Sequence, residues 1–178
     1  MGDETMIGLE RGTVKLVPHN PEWDKIFRAE KAKLSEVLDE IATDIQHVGS
    51  TAIPTISAKP IIDIAVLVKS PAEAKVCAEK IEAIGYQKKQ ENRSERLFFT
   101  KGPEENRIVY LHIGDESTDY VKDMILFREY LIHNPTEAKR YAELKQELMG
   151  RFSDNRGQYT AAKEMFIQEI VRKAKKSA

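Results

Sequence analysis

One segment limits what this chain can fold into: Ile61-Ile62-Asp63-Ile64-Ala65-Val66-Leu67-Val68, an apolar run interrupted by a single carboxylate. A run this short and this rich in β-branched residues reads as a central strand covered on both faces. The rest of the chain must therefore supply a layer above it and a layer below it. Alternation along a strand puts Asp63 and Ala65 on one face, and Ile62, Ile64 and Val66 on the other. A carboxylate in that position is costly unless it is paired or binds a metal. The alternative is an Asp near the strand end, satisfied by an arginine or by backbone amides.

The flanking sequence supplies the layers. Val14–Pro18 is a candidate short strand. Asn20-Pro21 has the chemistry of a helix start, and Trp23, Ile26, Phe27, Leu34, Val37, Leu38 and Ile41 follow at helical spacing. Ile45–Val48 is a second strand, ended by Gly49-Ser50-Thr51, and Ala52–Pro60 is a proline-containing loop. Ser70-Pro71-Ala72-Glu73 combines a capping box with a proline at the first helical position, and Gly85 closes that helix. Arg96–Thr100 and Arg107–Ile113 are strands joined across Gly102–Asn106. Helical periodicity fills the remainder, restarting after Asn134-Pro135 and again past Gly157. The predicted fold class is α/β, mixed α+β, with an α-helical C-terminal third. A length of 178 residues suits one domain, 1–178, with an α/β core over 14–116 and appended helices over 117–175.

Charge excludes some partners. There are 28 Lys+Arg against 29 Asp+Glu, so bulk nucleic acid or an anionic membrane is not the expected partner. The basic tail Arg172–Lys176 reads as a solvated helix C-terminus. No stretch approaches the roughly 20 apolar residues of a membrane span. The acidic N-terminus has no signal-peptide pattern. The single cysteine, Cys77, cannot form an intrachain disulfide, and a reducing cytoplasm is the expected compartment.

A second feature lies just upstream of Asp63. Gly49-Ser50-Thr51 follows a strand, where a small-residue turn lets backbone N–H groups approach a phosphate. Such turns are also common without any ligand. His47 flanks the turn, placed either beside a phosphate or as a partner of Asp63.

A strand, a Gly-Ser turn, a loop and a second strand carrying a carboxylate resemble the layout of polymerase-β-type nucleotidyltransferases. The segment HVGSTAIPTISAKPIIDIAV, residues 47–66, is similar to the GrpB family of that superfamily. The resemblance extends to Pro18–Trp23, Leu111-His112, Phe127–Leu131, Tyr141–Lys145 and Tyr159–Lys163, and so covers Val14 to about Ile170. It implies a nucleotidyltransferase-like mixed sheet flanked by helices.

The resemblance also implies roles. Gly49, Ser50 and Thr51 would hold the phosphates of a nucleoside triphosphate, and Asp63 would bind Mg2+ or Mn2+. The fold's usual Asp-x-Asp departs here to Asp63 followed by Ala65. The third acid's strand offers His112, with Asp115 and Glu116 beyond it. Asp63, His112 and Glu116 are the candidate metal ligands, and a histidine ligand shifts preference toward Mn2+ or Zn2+. His112 is alternatively a general base, a phosphate donor or a structural residue. Lys59, Arg93, Arg96, Arg107, Arg128, Lys145 and Lys163 are candidate phosphate contacts. Tyr130, Tyr141 and Tyr159 are candidates to stack on a base or close the pocket. The implied activity is nucleotidyl transfer to an acceptor, with Asp63 and His112 as the catalytic pair. Because Ala65 removes the second carboxylate of a two-metal clamp, the alternatives are a catalytically silent nucleotide- or phosphate-binding module, and one-metal phosphate-ester chemistry using His112.

Overall fold

A computed structural model describes residues 7–90 and 96–177; Arg93 and the first six residues lie outside the described residues. The chain runs α1 (Glu22–Leu38), β1 (Ala42–Val48), β2 (Ile62–Val68), α2 (Pro71–Ala83), β3 (Gln87–Lys89), β4 (Leu97–Lys101) and β5 (Val109–Asp115). Four helices follow: α3 (Tyr120–His133), α4 (Pro135–Arg151), α5 (Arg156–Ala162) and α6 (Glu164–Ser177). The strands form one mixed sheet in the order β1-β2-β5-β4-β3. Only β2 and β5 pair in parallel; the other neighbours are antiparallel. The fold is thus mixed α+β, as expected, with β2 between β1 and β5 inside the sheet. None of the helices is long and apolar enough to cross a membrane among the described residues.

Local chemistry explains the helix starts. The Asn20 carboxamide oxygen accepts the Glu22 N–H at 2.9 Å, which satisfies a backbone donor that the first turn of α1 leaves open. At α2 the capping box forms in full, with Ser70 accepting from Glu73 and Glu73 accepting from the Ser70 N–H.

Both faces of β2 are covered, as its sequence requires. Ile62, Ile64 and Val66 pack under Trp23, Leu34 and Leu38 of α1 and under Cys77 and Ile81 of α2. On the opposite face, Ala65 packs with Val48 and Val121 of α3. A further core joins the helical third to the loop between β1 and β2, where Ile53 and Ile56 meet Phe127, Leu131, Tyr141 and Ile170. The helices therefore grip the loop that connects the Gly-Ser turn to Asp63.

Several boundaries differ from the sequence expectation; β4 and β5 lie one and two residues later than expected. Val14–Pro18 is not a strand: Val17 makes a single β-bridge to Ala58 with hydrogen bonds of 2.9 Å, and the Val14 N–H instead donates to the Ser153 carbonyl at 2.8 Å. β1 begins at Ala42 rather than Ile45, because its pairing with β2 continues to Val68 past an irregularity between Ala42 and Asp44. The short polar edge strand β3 has no hydrophobic pattern to announce it; it exists because β4 offers Phe98–Thr100 to pair with. The final helical run breaks at Lys163 into α5 and α6.

One glycine sets the approach of the turn to β2. Gly49 has φ +71, a conformation that disfavours any side chain. A Cβ added there would lie 2.6 Å from Asp63 Oδ2 and 3.1 Å from Asp63 Cβ and Cγ. The backbone of the turn thus rests directly on the carboxylate, with Val48 and Asp63 opposite each other across the β1–β2 pair. Gly49→Ala is expected to cost about 1–3 kcal/mol, from backbone strain and this contact together. In an Asp63→Ala background the 2.6 Å contact disappears, so the two substitutions should couple by at least about 0.5 kcal/mol in urea midpoints. Strict additivity would contradict the close packing described here.

Candidate functional site

Asp63 is the centre from which the site is built. Its side chain is 27% exposed and lies between β1 and β5 on the α3 side of the sheet. His112, on β5, approaches it diagonally, because the parallel register pairs Asp63 with Tyr110 and Ala65 with His112. Its Nε2 lies 3.1 Å from Asp63 Oδ1. The other ring nitrogen, Nδ1, faces the guanidinium of Arg96. Arginine can only donate, so Nδ1 must accept and the ring proton sits on Nε2. Hydrogen bonds therefore run in one direction, from Arg96 to His112 to Asp63. Arg96 also reaches the Tyr120 hydroxyl and lies over the rings of Phe98 and Tyr120, 4.9 and 4.6 Å from their centroids.

The Gly-Ser turn is braced from below. His47 Nε2 lies 2.9 Å from Thr51 Oγ1, and its ring stacks on Phe27 with centroids 4.9 Å apart. Burial pushes the His47 pKa down to about 4, against the pull of Asp63 and Asp24, so the ring is neutral at pH 7. Thr51 is 2% exposed and points inward, its hydroxyl also 3.5 Å from the Ile61 carbonyl. From α3, Arg128 donates to the His47 carbonyl and, at 3.1 Å, to Gln46 Oε1. It thereby fixes the end of β1 rather than facing Asp63.

A group of cations lies beyond Asp63. Lys59 and Lys163 sit over the same ring, Tyr159, with their ammonium nitrogens 5.3 and 4.5 Å from its centroid. Lys145, 1% exposed, donates to the Ser57 carbonyl and lies 4.7 Å over the Tyr141 ring. Arg156 donates to the Thr13 and Glu10 carbonyls and to the Tyr110 hydroxyl. Burial, then Lys163 and Arg156, push the Lys59 pKa down to about 7, with Asp63 pulling the other way. Burial, then Lys163 and Lys59, push Lys145 down to about 6. These mutual effects define one electropositive cluster next to one carboxylate.

The structure brings Gly49, Asp63, His112, Arg96 and Lys59 together, with Ser50 next to Gly49, and adds Lys163 through Tyr159. It does not bring Glu116 to them. β5 runs parallel to β2, so Glu116 emerges beside Val68, about 20 Å along the strands from the level of Asp63. Asp115 is likewise spent locally, accepting the Ser117 N–H at 2.9 Å. Arg107 turns its guanidinium onto the Gly102 carbonyl, closing the β4–β5 loop. Tyr141 and Tyr159 are buried, and Tyr141 packs its ring between Phe127 and Phe166. Neither is presented to a base; Tyr159 instead forms a floor beneath two lysines. Arg156 and Tyr110 were not marked out by the sequence. Arg156 opens α5, 93 residues from Asp63, and no spacing rule connects them.

No group of three His, Cys, Asp or Glu side chains that could hold a metal occurs among the described residues. His112 has one nitrogen on Arg96 and the other, protonated, on Asp63, so it does not present a lone pair to a cation. Ala65, which stands where a second carboxylate would lie, is buried with Val48 and Val121. Of the candidate ligands Asp63, His112 and Glu116, the structure leaves only the Asp63 carboxylate beside the turn.

The chain matches the family model described as GrpB protein over residues 13–173. It is 35% identical over 171 residues to the glutamate-rich protein GrpB of Alkalihalophilus pseudofirmus, covering 93% of this chain and 98% of that one. It is similar to the crystal structure of the conserved protein GrpB from Enterococcus faecalis, with a TM-score of 0.82 and 32% identity over 92% of this chain and 98% of that chain. A looser likeness, with a TM-score of 0.47 and 16% identity over 83% of this chain and 49% of that one, is to the Cid1 poly(U) polymerase with Mg 3'-dATP bound.

The depressed lysines carry a pH prediction. An unfolded lysine titrates near 10.4, so between about pH 6 and 10 the unfolded chain binds a proton that folded Lys145 lacks. Stability must therefore rise with pH through that window, and the full cost of burial remains below it. Replacing Lys145 by Met should remove up to about 1.4 kcal/mol per pH unit from the slope of unfolding free energy between pH 7 and 9. An unchanged slope would show that Lys145 is charged in the folded protein.

Proposed function

The chain belongs to the GrpB protein family, and from that premise we propose that it binds a nucleoside triphosphate with one divalent cation and transfers the nucleotidyl group to an acceptor. A single observation carries this reading. The Gly49 backbone rests on Asp63 at the end of a β1–turn–β2 unit, and Asp63 acts on the charge of Lys59, which shares the Tyr159 ring with Lys163.

Each group then has a task. The turn at Gly49 and Ser50 offers backbone N–H groups to phosphate oxygens. Lys59 and Lys163 neutralise phosphate charge as it is transferred. Asp63 holds the cation, which neutralises charge on the same phosphates. His112, held by Arg96, donates to Asp63 Oδ1, so the carboxylate keeps one orientation with Oδ2 beneath the turn. His112 is therefore a positioning residue for Asp63 rather than a cation ligand or a base. Arg128 and His47 keep the turn in place from the protein side.

Ala65 favours a second reading. With one carboxylate the attacking and leaving oxygens are not both stabilised by metal, a loss of several kcal/mol at the transition state. The same site would then serve as a nucleotide-binding module without transfer. Pyrophosphate release by wild type separates the two. Release with Mg2+ that fails in Asp63→Ala supports transfer; binding without release in wild type, with release gained in Ala65→Asp, supports the module.

Both readings require binding. A thermal-shift series with nucleoside triphosphates and Mg2+ should show stabilisation of roughly 2.7 kcal/mol at about 100 times the dissociation constant. In Asp63→Ala the Mg2+-dependent part of that shift should vanish. A full Mg2+-dependent shift in Asp63→Ala would remove Asp63 from the site.

A further inference from the structure

Asp63 has two neighbours across the sheet. Toward β1 it meets Val48 and the Gly49 turn. Toward β5 it meets Tyr110, and the same row continues to Thr100 on β4 and Gln87 on β3. Directly opposed residues share a face of a sheet, so this row stands on the face that carries Asp63. Phe98, two residues from Thr100, stands there too. The opposite face of β4 and β5 is sealed, with Phe99, Val109, Leu111 and Ile113 at most 1% exposed. On the Asp63 face, α3 packs against β1, β2 and β5. Phe98 and Tyr110 stay half-buried, their rings edge to face with centroids 5.3 Å apart. Arg156 holds the Tyr110 hydroxyl, and Arg96 lies over Phe98.

Thr100 is the anomaly in this row. It is 4% exposed, and its hydroxyl meets no hydrogen-bond partner among the described residues. Such a hydroxyl costs stability that a valine of the same shape would not. Beside two aromatic rings, it matches a planar heterocycle, which stacks on rings and carries donors and acceptors at its edge. We propose that Phe98, Tyr110 and Thr100 form the acceptor subsite, and that the acceptor is a nucleoside, free or phosphorylated, whose base stacks on these rings. The inference rests on the nucleotide-site reading and names the acceptor that reading leaves open. The sides suit an in-line displacement: the triphosphate lies at the turn, toward β1, and the acceptor enters from β5. Two strand spacings, about 10 Å, separate β4 from β2, which leaves room for a sugar between a stacked base and Asp63. A sugar hydroxyl oxygen then bonds to the α-phosphorus as the bond from that phosphorus to the β-bridging oxygen breaks. Pyrophosphate leaves, and the hydroxyl proton passes to water.

The test is a calorimetric titration of the whole chain with adenosine, guanosine, cytidine and uridine, which carry no phosphate for the turn or the lysines to hold. At least one is expected to bind wild type. Phe98→Leu should weaken that binding at least about fivefold, the lower end for a lost base–aromatic stack. Thr100→Val should weaken it as well, with a urea midpoint unchanged or raised, and serves alone should Phe98→Leu fail to fold. Both variants should keep the Mg2+-dependent thermal shift with nucleoside triphosphate. No nucleoside binding by wild type, or binding that survives both substitutions, would overturn the inference; a persisting triphosphate shift would leave the nucleotide site standing. A triphosphate shift that falls together with nucleoside binding would give the rings to the nucleotide's own base and overturn the acceptor subsite. Ring-dependent nucleoside binding with no triphosphate shift in wild type would overturn the nucleotide-site reading and keep the nucleoside site.

Discussion

The site depends on a close contact between a backbone and a carboxylate. Gly49 can lie on Asp63 only because it lacks a Cβ and because its φ of +71 is open to glycine. That contact places Ser50 and the following backbone beside a charged group on β2. Much of the surrounding structure braces it. Arg128 and His47 hold the end of β1, the Arg96–His112 pair orients the carboxylate, and the helical third grips the loop leading from the turn to β2.

A second constraint opposes the first. The fold keeps Lys145 in its interior and crowds Lys59 and Lys163 over one ring, and each lowers the charge its neighbours can hold. Apolar residues in those positions would relieve this cost. Groups shifted this strongly by burial and by like-charged neighbours are frequent at functional sites. Its electrostatics are local: the near balance of acids and bases over the whole chain conceals an asymmetry confined to a few residues.

The sequence made some of this legible and hid the rest for identifiable reasons. The β2 segment, the α2 capping box and the Asn20-Pro21 helix start depend on neighbours in the chain, and local rules read them correctly. Asp63 stood out because its own strand made it anomalous, and Gly49 because a small residue followed a strand. Glu116 looked close to Asp63 only when the chain was read in one dimension; the parallel β2–β5 register carries it to the far end of the sheet. Arg107 reads as a phosphate contact until its guanidinium is seen to close a loop. Arg156, Tyr110 and the convergence of three lysines on Tyr159 depend on helix packing, which no local pattern encodes. β3 escaped notice because its residues carry no periodic signal and pair only through β4.

The most direct test of a single site spanning the turn, Asp63 and the lysines is a crystal structure grown with a non-hydrolysable nucleoside triphosphate and Mn2+, with anomalous data collected for manganese. The account predicts one manganese peak at Asp63, phosphates between the Gly49-Ser50 turn and the ammoniums of Lys59 and Lys163, and no peak near Glu116. Nucleotide bound on another face of the molecule, or manganese ligated away from Asp63, would contradict it.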